Sequence, residues 1–197
     1  SGQSIHLKNA DGVGRSRVIL EHRSSGTLTW SPDGETILHS ADWDIWSLPV
    51  LGKHEPVQLF ENDYFESEVQ FSPDGRWISY SSNESGQQQV YVQPFPPSGG
   101  KWQISTDGGA KARWRRDGKE LFYIAPDQTL MSVQMTSDGT TFEHSAPQPL
   151  FKTRTVGYRW TYDVSPDGER FLMNAEVGES TSSPIVVVIN WTAELQK

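Results

Sequence analysis

The sequence predicts an all-β fold, a β-propeller of four-stranded antiparallel blades around a channel, and three observations predict it. A tight-turn motif, Ser-Pro-Asp-Gly, occurs at residues 31–34, 72–75 and 165–168, with the variant Arg-Arg-Asp-Gly at 115–118. The turns recur at intervals of roughly 40 to 50 residues, close to the length of one propeller blade. The flanking segments alternate apolar and polar residues, as half-buried strands do.

The repeated turn has a clear physical basis. Proline presets φ at the first corner, aspartate accepts a hydrogen bond from the backbone two residues on, and glycine tolerates the positive φ that ends the turn. We therefore interpret the turn residues as structural, each pair closing the turn of a separate blade. They are Asp33, Gly34, Asp74, Gly75, Asp117, Gly118, Asp167 and Gly168.

The alternation predicts the strands in chain order. A half unit has strands at 5–7 and 17–20, and the first full unit at 27–30, 36–40, 45–48 and 57–60. The second has strands at 68–71, 77–81, 90–93 and 102–105. The third has strands at 112–114, 121–124, 130–135 and 149–151, with a loose segment at 136–149. The fourth has strands at 162–164, 170–174 and 185–190, without a clear fourth strand or a convincing helix.

These units form one domain, residues 1–197, of about four and a half blades. We expect a half blade at 1–25 and blades at about 26–62, 63–107, 108–155 and 156–197. We also expect the chain to be a fragment of a larger propeller, whose targeting segment lies upstream or was removed. If the ring closes at five blades, strand 17–20 can supply the missing fourth strand; otherwise two copies can pair through their open ends as a homodimer.

Superposing the units predicts the core between blades. The positions before each turn are Leu28, Trp30, Val69, Phe71, Ala112, Trp114, Tyr162 and Val164. Those after it are Ile37, His39, Ile78, Tyr80, Leu121, Tyr123, Phe171 and Met173. Because one blade cannot bury its own faces, neighbouring blades must stack on these positions.

Charge and composition exclude several classes of function. The chain has 17 Lys and Arg against 25 Asp and Glu, a net charge of −8, which disfavours a nucleic-acid partner. It has no cysteine, so disulfides and thiolate metal sites are excluded. No apolar run approaches the roughly 20 residues of a membrane-spanning helix, so direct membrane insertion is not expected. No phosphate loop, dinucleotide fingerprint or nucleophile elbow occurs, and we expect no cofactor.

Four segments carry a family resemblance. They have the sequences VQPFP at 92–96, GKWQIS at 100–105, WRRDGKELFY at 114–123 and VINW at 188–191. With the repeated turn, they resemble the WD-repeat-like propeller repeats of TolB-type proteins, and more closely the propeller regions C-terminal to bacterial serine/threonine protein kinases. The resemblance implies a non-catalytic interaction or sensing module, periplasmic or extracellular, that binds a protein partner or a small ligand.

The candidate binding site is the rim of the channel, which the innermost strands and their loops would line. Our candidates are Glu68, Lys111, Arg113, Arg159 and Trp160, a mixture of acids, bases and an aromatic anchor. Trp43 and Trp102 are further candidate anchors, although blade packing is the more common role of a tryptophan at such positions. Asp42 and Asp44 flank Trp43 and suggest either a calcium site or, more often, a solvated blade edge. The histidines lack metal-ligand spacing, and His39 takes a packed position.

Two alternatives stay open. Five-bladed glycoside hydrolases place catalytic carboxylates in the channel, and Glu66, Glu68 and Asp163 could supply an acid/base pair. Basic residues are as numerous there as acids, which favours binding over catalysis. The other alternative is a structural spacer without a specific partner.

Overall fold

The computed structural model describes residues 4–21, 26–137, 141–156 and 161–175, and the backbone of 186–189. All regular structure in these residues is β-strand, arranged in antiparallel sheets. Within the same residues no helix is long and apolar enough to cross a membrane. Several predicted features lie outside these ranges: Arg159, Trp160, His22, both ends of the predicted strand 185–190, and the Asn190–Trp191 pair of the resemblance.

The described strands belong to successive sheets along the chain. The first sheet pairs β1 (Ile5–Leu7) with β2 (Arg17–Leu20). The second has the order β3 (Leu28–Trp30), β4 (Thr36–Ala41), β5 (Asp44–Pro49), β6 (Val57–Gln58). The third contains β7 (Glu66–Phe71), β8 (Trp77–Ser82), β9 (Gln89–Pro94) and β10 (Trp102–Gln103). The fourth contains β11 (Ala110–Trp114), β12 (Glu120–Ile124), β13 (Thr129–Ser137), β14 (Phe142–His144) and β15 (Gln148–Lys152). The fifth contains β16 (Tyr162–Val164), β17 (Arg170–Met173) and β18 (Val186–Ile189).

Consecutive strands are mostly neighbours in each sheet, so the sheets are meanders like propeller blades. The repeated turn joins the first two strands of each blade. Asp74 Oδ1 accepts the N–H of Arg76 at 3.1 Å, and Ser72 Oγ donates to the same oxygen at 2.6 Å. In the variant turn Arg115 replaces the serine, and its guanidinium donates to both carboxylate oxygens of Asp117 at 2.7 and 2.9 Å. The same turn is therefore closed by a serine hydroxyl in one blade and by an arginine guanidinium in another.

The hydrophobic core lies between adjacent sheets. One cluster joins the β3–β6 and β7–β10 sheets, and includes Leu38, Ile45, Val69, Ile78 and Tyr80. A second joins the β7–β10 sheet to the β11–β15 sheet, and a third joins the latter to the β16–β18 sheet. Burying each large apolar side chain contributes roughly 1.5–3 kcal/mol. The fold therefore depends on stacking between sheets rather than on any one sheet.

Two predicted core residues of the first blade are exposed instead. Leu28 is 45% exposed and Trp30 is 49% exposed, whereas the equivalent Val69 and Phe71 are 0% and 7% exposed. The β1–β2 sheet packs nearby, but its apolar residues cover Ile37, Leu48 and Val50 rather than β3. The prediction was wrong for β3 because, among the described residues, its face lacks a packed neighbour.

Several strand predictions also need correction. The segment 136–149 is not entirely loose, since β13 extends to Ser137 and β14 pairs with it. The predicted strands 57–60 and 102–105 are shorter and end at Gln58 and Gln103. In the part of the chain that is described, strand 17–20 pairs with β1 and not with the last blade. A long hairpin at a blade edge leaves little periodic signal in the sequence, which explains why the pairing of β13 with β14 was not predicted.

Candidate functional site

The inner strands of two neighbouring blades are distorted at the same position. Glu68 in β7 and Lys111 in β11 have φ of +57° and +61°, and each lies where the register with the next strand shifts. Each precedes the aspartate of its own turn by the same number of residues. Positive φ is costly for residues other than glycine, and bulges re-aim side chains at functional sites.

The carboxylate of Glu68 joins the two blades. Its Oε2 accepts the backbone N–H of Lys111 at 2.7 Å and the hydroxyl of Ser81 at 3.1 Å. The bulge in β11 turns the Lys111 N–H out of its own ladder, which makes this bond possible. Both Glu68 and Lys111 are partly exposed, so an adjacent ligand can reach them.

Arg113 lies deeper in the same region. It is 8% exposed, and its Nη1 donates to the carbonyl of Ala112 at 2.8 Å. Its guanidinium lies 5.7 Å from the ring centre of buried Tyr162 on the next blade. Gln70, with its amide oriented to suit both neighbours, accepts from Arg113 Nη1 at 2.9 Å and donates to the Ala112 carbonyl at 3.2 Å.

The electrostatics link these groups. Burial raises the pKa of the Tyr162 hydroxyl, while the charge of Arg113 lowers that pKa and the charge of Glu68 raises it. The structure therefore brings together Glu68, Lys111 and Arg113, which we call the inner-strand site. Asp163 is exposed, and its Oδ1 accepts the backbone N–H of Val164 at 2.9 Å.

Glu66 begins strand β7 and is only 2% exposed. Its Oε1 accepts from Asn62 Nδ2 at 2.8 Å, and its Oε2 has no hydrogen-bond partner among the described residues. Burial, the largest cause, acts with the charges of Asp44 and Glu84 to raise the pKa of this carboxyl to about 7, although Asn62 and Lys101 lower it. A perturbed acid can be functional, but this oxygen has almost no accessible surface.

Trp43 lies at the tip of the β4–β5 hairpin. Asp42 and Trp43 have φ of +53° and +75°, and the indole is 70% exposed. Phe65 lies against it, with ring centres 4.9 Å apart. Trp102, in contrast, is half-buried and packs against the core, with its ring centre 5.6 Å from that of Trp77. Among the described residues, no group of three or more acids or histidines could hold a metal ion.

A separate pocket of about 400 Å³ lies beside the third blade. Tyr123, Met131, Pro126 and Pro149 supply apolar walls, and Asp107 lies among the polar lining residues. A Cβ on Gly109 would come within 2.8 Å of the Tyr123 ring, so this glycine is required by close packing. Sequence reasoning missed this pocket; the Gly108–Gly109 pair between two strands was its one signal.

The comparisons with known proteins agree with the fold. No protein-family model matches the chain. An uncharacterized protein of Agrobacterium fabrum is 27% identical over 146 residues, which are 72% of this chain and 45% of that protein. The chain therefore spans less than half the length of this curated relative.

Three solved structures are similar at low identity. TolB from Acinetobacter baumannii has a TM-score of 0.71 at 18% identity, covering 95% of this chain and 46% of that one. An oligogalacturonate lyase in complex with manganese has a TM-score of 0.61 at 17% identity, covering 93% of this chain and 53% of that one. A chain of a nidogen/laminin complex has a TM-score of 0.54 at 12% identity, covering 81% of this chain and 60% of that one.

These neighbours include an enzyme as well as a chain of a protein complex, so they establish the architecture and leave the activity open. The sheets, their meander order and the similarity to TolB together show that this chain has the β-propeller fold of TolB-like proteins.

Proposed function

We propose that the chain is a non-catalytic binding module that docks a protein partner or a small ligand at the inner-strand site. The observation that supports this most is the bond between the Glu68 carboxylate and the Lys111 N–H, made where both residues have positive φ. Strained backbone persists where the surroundings hold it in place, and it is concentrated at binding sites. Arg159 and Trp160 belong to the proposed site by their positions in the sequence.

The charges of the site favour binding over chemistry. Glu68 already accepts two hydrogen bonds, and Arg113 is held between Ala112 and the Tyr162 ring. Such preorganised charges can recognise a partner that carries groups of both signs.

A photo-reactive amino acid in place of Lys111 tests this proposal in the full-length protein, in its natural host. We expect cross-linking to a discrete partner, and loss of that product when Glu68 is changed to Lys. The matched control carries the photo-reactive residue at Arg116, an exposed position in the turn at the opposite end of β11. Identical products from both positions, or no product from position 111, would contradict the proposal.

The second candidate is the glycoside hydrolase, and one observation favours it: the raised pKa of Glu66, two residues from Glu68. Catalysis would require the buried Glu66 carboxyl to reach a substrate. We expect no glycan turnover by the wild-type chain. Turnover that disappears in Glu68→Gln would overturn the non-catalytic assignment.

We also propose, from the sequence resemblance, that the module works outside the cytoplasm, in the periplasm or extracellularly. Within the parent protein it would serve as the sensor portion of a kinase. A second copy of the chain is a further proposed partner, through the exposed face of β3. Fusing the parent protein to a reporter that is active only after export tests the location.

A further inference from the structure

The Trp43 hairpin and the loop before β7 form one continuous surface, which we call the Trp43 surface. The loop spans residues 61–65, and the N–H of Glu66, the first residue of β7, donates to the Trp43 carbonyl at 2.8 Å. Within the loop the Tyr64 N–H donates to Asn62 Oδ1 at 2.8 Å, and the Phe65 N–H donates to Asn83 Oδ1 at 2.9 Å. Hairpin and loop are therefore held in a fixed relation.

Aromatic rings dominate the exposed part of this surface. Trp43 is 70% exposed and Tyr64 is 46% exposed, although large aromatic side chains usually lie inside a protein. The left-handed backbone at Asp42 and Trp43 presents the indole outward. Phe65 supports the indole from one side and leaves the rest of the ring accessible.

Negative charge surrounds the rings. The hairpin contributes Asp42 and Asp44, and the loop contributes Glu61 and Asp63. Neither segment contains a lysine or arginine. Among the described residues, none of these four acids forms an ion pair with a basic side chain. The buried Glu66 lies beside Asp44: burial first, and then the charges of Asp44 and Glu84, raise the pKa of its carboxyl, and the charge of Lys101, which pairs with Glu84, lowers it.

We propose that the Trp43 surface binds a basic peptide segment, with an arginine or lysine side chain over the exposed face of the Trp43 indole. Tryptophan is the best aromatic partner for such a cation, and arginine also stacks on aromatic rings. The surrounding carboxylates attract the other basic residues of the segment. The Trp43 surface and the inner-strand site share no residues. Either of the two proposals can therefore be wrong without affecting the other.

A capped tetra-arginine peptide is the probe, titrated into ¹⁵N-labelled chain and followed by NMR. We expect shifts of the Trp43 indole N–H and of the backbone at 42–44 and 61–66. Trp43→Ala should weaken binding roughly 3- to 30-fold, and Trp43→Phe should retain most of it. Asp42→Asn with Asp44→Asn should weaken binding and flatten its dependence on salt.

Matched controls separate the proposed site from general attraction to an acidic protein. Leu51→Ala removes another exposed apolar side chain, and Glu35→Gln with Glu55→Gln removes two exposed acids at the other end of the first full blade. None of these controls should alter binding. Shifts spread over the whole chain, or equal weakening by the acid controls, would overturn the proposal, as would no binding at low salt. A tetra-glutamine peptide should not bind.

Discussion

At the scale of single residues, the carboxyl of Glu66 is buried, unlike that of a typical surface acid. Its Oε1 accepts from Asn62, while its Oε2 is buried without a hydrogen-bond partner among the described residues. A buried carboxyl is more stable protonated, because ionisation costs more away from water. The folded chain therefore holds a proton at a pH where the unfolded chain has released it.

Glu66 should make stability depend on pH. The pKa rises from 4.5 in the unfolded chain to about 7 in the folded one. Stability is therefore full below about pH 4.5 and falls as pH rises towards 7, by about 3 kcal/mol in total. Glu66→Gln should remove this loss and stabilise the chain at pH 8. Urea unfolding of the wild type and of Glu66→Gln at several pH values measures this dependence of stability on pH.

The matched control is Glu61→Gln, which removes an exposed carboxyl from the loop just before Glu66. Its stability curve against pH should run parallel to that of the wild type. If Glu66→Gln also runs parallel, the carboxyl is ionised in the folded chain and the interpretation is wrong.

At the scale of elements, two copies of the repeated turn contain the same serine hydrogen bonds but differ in burial. Burial should change how much these bonds stabilise the fold. Ser72 Oγ donates to Asp74 and accepts the N–H of Trp77 at 3.0 Å, and Ser72 is 2% exposed. Ser165 makes the equivalent bonds to Asp167 and Arg170, but its turn is exposed to water. If the serine is removed, water can take over its hydrogen bonds at the exposed Ser165 turn but not at the buried Ser72 turn.

Ser72→Ala should therefore destabilise the chain by about 1–3 kcal/mol, because a buried N–H and a carboxylate lose their partner. Ser165→Ala, as the matched variant, should cost less than about 1 kcal/mol. The free energy of unfolding in urea measures both. Equal losses in the two variants would show that burial does not set the energy of this turn.

At the scale of the whole molecule, the exposed face of β3 is the main departure from a uniform stack. Leu28 and Trp30 occupy positions that are buried in the next two blades, yet each is nearly half exposed. An exposed apolar face next to unpaired strands favours association with a similar face.

We expect residues 1–197 to self-associate as protein concentration rises. Sedimentation equilibrium should give an average mass above the 22.2 kDa of one chain. Trp30→Glu combined with Leu28→Ser should return the mass to that of a monomer. A wild-type chain that stays at monomer mass at every concentration would show that this face does not drive association.

Much of the fold could be predicted from the sequence because its signals are local. Each turn needs its own aspartate and glycine, and each strand shows its alternation within a few residues. The predicted β8 and β12 therefore lie within a residue or two of the observed Trp77–Ser82 and Glu120–Ile124. The hairpin of β13 and β14 was missed because its residues around 136–144 do not alternate clearly.

The candidate sites were less accessible to sequence reasoning. Glu68, Lys111 and Arg113 were selected from the repeat, and their role as a binding rim stays a prediction. The sequence did not indicate the positive φ at Glu68 and Lys111, since both residues normally avoid it. Nor did it indicate that Phe65 supports Trp43, because ring contacts between separate blades follow no short-range pattern.

By itself, then, the sequence determined the all-β class, the repeat, the order of strands and the turns that join them, because these depend on residues adjacent in the chain. Only the tertiary structure decided that Glu68 reaches the Lys111 N–H of the next blade, that Glu66 is buried and that Trp30 is exposed. Those outcomes depend on how one sheet packs against another, and residues about one repeat apart meet only after the sheets have stacked.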